Sequence, residues 1–246
     1  TATELDISGD IDIDGTSNLD VVDIDGALTQ DGGAVFNEDS ADVDFGVESN
    51  GNANMIFVDG GNDAVGIGNS APGDYYSNSN QLVVGSGSAR QGITIASSTS
   101  TIGQLAFADG TSGDTRYEGS IIYNHSSNHM ELSTNHATAI YIDSSQLVGL
   151  GTTSPSSYSS GADNLVVYGA GSSGITIATG DTTSTVALKF ADGTASATEN
   201  AGWIDYSHNS DYMSFGTANA EKLRISSGGD LTLTDTDTGS GAGPIL

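Results

Sequence analysis

Asp10, Asp12 and Asp14, followed by Gly15, set carboxylates at alternate positions ahead of a residue that permits a sharp turn. EF-hand calcium loops open this way, because oxygens so spaced converge on one hard cation. The twelfth position of such a loop is here Val21, where the EF-hand needs a bidentate acid, and the flanking rhythm is that of a strand. What survives is a looser role for Ca2+, in which Asp10, Asp12 and Asp14 share cations with carboxylates of neighbouring turns or chains. Against it stands a plain acidic strand face in water. No other cofactor is expected.

Gly169-Ala170-Gly171-Ser172-Ser173-Gly174 fits the dinucleotide fingerprint GxGxxG and follows the apolar run Leu165 to Tyr168. The fingerprint needs a helix next, to aim its N-terminus at the pyrophosphate. Ile175-Thr176-Ile177 is β-branched and strand-forming, so nucleotide binding is not expected. His125 and His129 have the HxxxH spacing that suits a metal on a helix, with His136 further on, but they flank a hairpin turn. Packing or hydrogen bonding is the expected role of His125 and of its counterpart His208. Serine and aspartate are everywhere, and no nucleophile, base and orienting acid stand out. The chain is not expected to be an enzyme.

The elements that hold these residues read as β throughout. In Asp10-Ile11-Asp12-Ile13-Asp14-Gly15 every Ile faces one way and every Asp the other, and Asp20 to Gly26 nearly repeats it. Further strands are expected at Met55 to Asp59, Ala64 to Gly68, Leu82 to Val84, Ile93 to Ile95 and Gln104 to Ala108. A hairpin follows, running up through Ile121 to Asn124 and down through Met130 to Ser133. Residues 139–142, 147–150, 222–225 and 231–233 close the pattern, and helices are nearly absent. No long helix is at hand to cover the apolar rows, so the expected cover is another copy of the chain.

Much of this order occurs twice. Leu82-Val83-Val84 returns as Leu165-Val166-Val167 and Phe107-Ala108-Asp109-Gly110 as Phe190-Ala191-Asp192-Gly193, each 83 residues on. Tyr123, His125, Met130, Thr134 and Ile142 recur at the same spacing, and Val65-Gly66-Ile67-Gly68 with Pro72 is matched by Val148-Gly149-Leu150-Gly151 with Pro155. Duplication of a β module lengthens an object and leaves it without a unique pocket. Four regions follow: an acidic β-repeat shaft at 1–50, a hairpin and linker forming a partial module at 51–80, one module at 81–162, and a second at 163–246 with the start of a third.

Composition narrows the partners. The 246 residues carry 32 acids against five Lys and Arg, a formal charge of −27, and the first basic residue is Arg90. Such a field repels phosphate backbones and anionic headgroups, so neither nucleic acid nor a membrane is expected as partner. Self-repulsion on this scale calls for salt or divalent cations to screen it. With no cysteine, thiolate chemistry and disulfides are both excluded.

Several strings resemble a known family. Phe36-Asn37-Glu38-Asp39-Ser40-Ala41-Asp42-Val43-Asp44-Phe45, Asn54-Met55-Ile56-Phe57-Val58-Asp59 and Val65-Gly66-Ile67-Gly68 resemble segments of tail-fibre and appendage proteins of marine bacteriophages. The modules, with Ile142-Asp143-Ser144-Ser145 leading to Val148-Gly149-Leu150-Gly151-Thr152-Thr153-Ser154-Pro155, are similar to those such fibres string together. Gly243-Pro244-Ile245-Leu246 resembles the start of one more. The resemblance implies an all-β, elongated, repeat-containing fibrous structure of β-prism or β-solenoid and small sandwich-like modules, assembled as a homotrimer. It further implies an extracellular place in the virion, as a structural and adhesive tail-fibre component. The implied partners are its own copies, other tail proteins and a host-surface glycan or protein. A secreted bacterial filament or surface-layer subunit polymerising by strand exchange is the alternative, and a polysaccharide-degrading tailspike the third reading.

Overall fold

A computed structural model describes Ile24, Ala27, Leu28, Phe36 and residues 42–195 and 198–234. The calcium candidates Asp10, Asp12 and Asp14, and most of the 1–50 segment, lie outside these residues. The chain divides into two units, one up to Thr94 and one from Ile95 onward. All described regular structure is β apart from three short 3-10 turns, at Pro72–Asp74, Gly113–Tyr117 and Pro155–Ser157. It forms three open sheets, none closed into a barrel.

The first unit holds sheet 1, made of β1 (Phe45–Ser49), β2 (Asn52–Asp59), β3 (Ala64–Ile67) and β4 (Leu82–Val84) in that order. The second unit holds the other two sheets. Sheet 2 is a meander of β5 (Ile102–Phe107), β6 (Gly119–Asn124), β7 (His129–Thr134), β8 (Ala137–Ile142) and β9 (Val148–Leu150), with β10 (Leu165–Val167) added at its edge. Sheet 3 comprises β11 (Thr185–Phe190), β12 (Gly202–Ser207), β13 (Tyr212–Thr217), β14 (Ala220–Ile225) and β15 (Leu231–Leu233). Strands β11 to β15 begin and end 83 residues after β5 to β9. They pair in the same register, and the bulge between Leu132 and Ser133 reappears between Phe215 and Gly216.

Two local devices explain the Val-Gly-x-Gly strings. A β-carbon on Gly149 would collide with the carbonyl oxygen of Thr152, and one on Gly66 with that of Asn69, so only glycine lets the chain fold back there. Behind each return lies a fully buried proline, Pro72 or Pro155. The chain then travels far enough to lay its next strand parallel, β4 on β3 and β10 on β9, where every other pairing is antiparallel. Crossovers of a dozen or more residues are what parallel neighbours need. Leu82–Val84 and Leu165–Val167, at the head of each module in sequence, thus pair in space with the strands before them.

Tight hairpins set the register of the rest. Asn135 and His136 have φ of 50° and 59°, and the equivalent Ala218 and Asn219 have 52° and 59°. Two successive left-handed residues make the two-residue turn whose twist matches the flanking strands, a position asparagine tolerates and alanine does not. Ala218→Asn should therefore stabilise the chain by about 1 kcal/mol, a rise of roughly 2–4 °C in thermal midpoint. An unchanged or lower midpoint by calorimetry would remove this account of the turn.

One expected strand does not pair. Residues 93–95, and their counterparts 175–177, are extended but belong to no ladder among the described residues. Alternation of Ile and Thr specifies an extended backbone; it does not supply a neighbour. The interior is correspondingly slight. Besides the two prolines, Ala64 and Val166 are the buried hydrophobic side chains among the described residues, and much of the remaining buried set is polar, such as Asn69, Asn80, Ser120 and Asp163.

Candidate functional site

Each sheet has two faces of opposite chemistry, fixed by the period-two alternation of its strands. On one face of sheet 2 the cross-strand row reads Leu105, Ile121, Leu132, Ile140, Leu150, Val167. In sheet 3 the equivalent row is Leu188, Ile204, Phe215, Leu223, Leu233. Sheet 1 gives Phe45, Val58, Val65, Leu82. No charged residue interrupts these rows, although the chain carries −27. The side chains are not packed away: Leu105 is 49% exposed, Ile121 40%, Leu188 50% and Leu233 60%.

The opposite face carries the polar clusters. His129, itself buried, lies with its ring centroid 4.7 Å from that of Tyr141. Its Nδ1 is 2.8 Å from the Ser127 hydroxyl and its Nε2 2.6 Å from Oε1 of Glu131, whose other oxygen accepts from Thr138 at 2.6 Å. Burial first, and the nearby Glu131 and Asp143 charges second, raise the Tyr141 phenol above its ordinary value. Ser127, His129 and Glu131 thus form a hydroxyl, imidazole and carboxylate chain along one strand face, which the sequence reading missed. The available signal was Ser-x-His-x-Glu at the strand period.

A working nucleophile needs in addition a sheltered cleft and donors aimed at an oxyanion. Ser127 stands exposed at a hairpin tip, and the cavities described below are lined by other residues. The second copy replaces the group altogether. Positions 129, 131, 138 and 141 become Tyr212, Ser214, Glu221 and Arg224. There Arg224 grips Glu221 through Nε at 2.8 Å and Nη2 at 2.6 Å, and its guanidinium lies 3.7 Å from the Tyr212 ring centre. That bond lowers the Glu221 carboxyl and raises the Arg224 guanidinium. Trp203 donates to Ser214 at 3.1 Å, Ser214 donates to Asp205, and Lys189 lies over the indole at 5.0 Å. The apolar face keeps its chemistry from copy to copy and the polar face changes it.

The remaining histidines are used locally. His125 meets Tyr123 edge-on at 4.9 Å, as His208 meets Tyr206 at 5.0 Å. His136 lies 3.0 Å from Glu118 and edge-on to Tyr117. Among the described residues no three metal-ligating side chains converge. The glycine string 169–174 leads into the unpaired extended residues 175–177, without the helix that a dinucleotide site requires.

In the first unit a polar cleft of about 660 Å³ is lined by Asn52, Asn54, Asn69, Tyr75 and Gln91 among others. Asn69 is committed to the fold there, donating to the Gly85 carbonyl at 2.8 Å and accepting from the Ala71 amide. A neighbouring hollow of about 460 Å³ gathers Asp42, Asp44, Asp59 and Asp74. Two of these four are occupied by neighbours: Asp44 accepts the Gly60 amide, and Asp59 accepts both the amide and the side chain of Asn62. In the second unit a shallow apolar depression of about 180 Å³ lies between Ile177 and the apolar face of sheet 3, at Val186, Leu188, Ile204 and Met213.

Compared with known proteins, the chain matches no family model, and no curated protein matches it.

Proposed function

We propose that this chain is a structural and adhesive component of a phage tail fibre, three copies of which associate through their apolar sheet faces into a stiff, extracellular β-rod. The observation that carries the reading is the set of uncharged rows, Leu105 to Val167, Leu188 to Leu233 and Phe45 to Leu82, left partly open to solvent in all three sheets. At roughly 25 cal/mol per Å², covering such rows stabilises every module again along the rod. Length then adds stability without requiring a large interior. The exchange of polar clusters between copies supports the same division of labour, with one face for assembly and the other free to differ. In the adhesive part of the role, the cleft of the first unit, lined by amides, Tyr75 and the Asp74 carboxylate, suits a hydroxyl-rich ligand such as a surface glycan.

Light scattering and negative-stain microscopy of the purified chain test the proposal together. Rods of one length, with three times the 24.8 kDa chain mass, are expected. Open filaments of variable length would favour the bacterial filament or surface-layer subunit. Discrete monomeric globules would overturn both.

A further inference from the structure

The extended stretch 174–178 reads Gly-Ile-Thr-Ile-Ala, and the same five residues occupy 92–96. β-Branched residues in alternation are the composition of a strand. Yet no backbone group of either stretch joins a ladder or a turn among the described residues. The second isoleucine of each, half-exposed at 51% for Ile95 and 49% for Ile177, lies beside the local apolar face. Ile177 borders the depression on sheet 3, and Ile95 approaches Gly103 on β5, where a β-carbon would lie 3.6 Å from its Cγ2. The other isoleucine points away: Ile175 is 70% exposed and Ile93 71%.

We propose that residues 174–178 and 92–96 are strands whose ladder partner is a second copy of this chain, which at the same time covers the apolar rows beside them. The proposal rests on the reading that copies associate, and it names where they join. An extended backbone with both sides unpaired is a template for another chain. Three features select a second copy as the occupant. The same device occurs at nearly the same interval as the modules, 82 residues here, so a partner of identical period engages both stretches at once, which an unrelated partner has no reason to do. Both stretches and the rows beside them are free of charge, the condition for two chains of −27 to approach. In sheet 3 the row ends stay open, with Leu188 50% and Leu233 60% exposed, so apolar surface remains there for a second copy to bury.

Hydrogen exchange read by mass spectrometry, together with light scattering on the same full-length sample, tests this. The expected result is a multimeric mass with amides 93–96 and 175–178 exchanging at least about 100-fold more slowly than free chain. The double variant Ile93→Asp, Ile175→Asp should return those amides to fast exchange and lower the mass to that of one chain. Strands β6 and β13 should stay protected in it, and Ser145→Asp, in an exposed turn, should change nothing. A multimer in which both stretches exchange fast would overturn the proposal and leave the assembly reading standing. A monomer would overturn both, and protection in a monomer would mean a partner within the chain.

Discussion

Ile121→Asp is expected to dissociate the assembled protein, and Ile122→Asp, one residue along the same strand, to leave it assembled. The two side chains are identical and point to opposite faces of β6. Ile121 stands in the uncharged row with Leu105 and Leu132, whereas Ile122 stands between Gln104 and Glu131. Within a single chain Ile121 is the more exposed of the pair, at 40%, so a protein that functions alone would tolerate Asp better at 121. Repulsion from Glu131 directly opposite biases the comparison further against 122, by about 0.2–1 kcal/mol. If copies close over the row, the order inverts. A carboxylate at 121 then loses its water without gaining a partner, at a cost of at least about 3 kcal/mol per copy, or more than a hundredfold in association. Sedimentation or light scattering at matched concentration reads the result. Equal masses for the two variants, or a smaller mass for Ile122→Asp, would remove the apolar face from the assembly.

The same alternation decides what was legible from sequence. Period-two patterns located nearly every strand, because a residue's side of a pleated sheet depends only on its parity. The first hairpin was legible because His125 to Asn128 separate two strand-patterned runs, whereas the turns at Asn135-His136 and Ala218-Asn219 take left-handed positions that the alternation does not announce. What parity cannot supply is a neighbour. Residues 93–95 carry the alternation of a strand and have no ladder among the described residues, and Leu82–Val84 pairs with the strand before it in parallel. That pairing depends on a fold-back at Gly66 and a buried Pro72, a tertiary arrangement with no periodic trace. The Ser127, His129 and Glu131 chain left only a weak trace for a related reason. Three polar residues at alternate positions are commonplace, and only packing against Tyr141 and Thr138 fixes their rings and oxygens in line.

The two faces also bear on how such a module can be copied. On the apolar face the two modules differ in side chain but not in character, as at Leu132 and Phe215. On the polar face a cluster is complete within its own sheet. His129 with Glu131 in one module and Arg224 with Glu221 in the next satisfy the same positions by different chemistry. A self-contained cluster of this kind stabilises its sheet without constraining the neighbouring one.

Raising sodium chloride from about 0.01 M to 1 M, which shortens the screening length from roughly 30 Å to 3 Å, is expected to raise the melting point of the protein strongly. Each chain carries −27, and if copies come together at their uncharged faces, as proposed, they bring these charges with them. Relief of a few kcal/mol of repulsion corresponds to a rise on the order of 10 °C. Calcium chloride at the same ionic strength separates two causes. If screening alone acts, the two salts give the same midpoint, and a chelator changes nothing. If Asp10, Asp12 and Asp14 hold cations, calcium adds a further rise that the chelator removes and that Asp12→Asn reduces. A midpoint that falls with salt would mean that attractive ion pairs such as Arg224 with Glu221 outweigh the repulsion, and the net acidity would no longer be what limits stability.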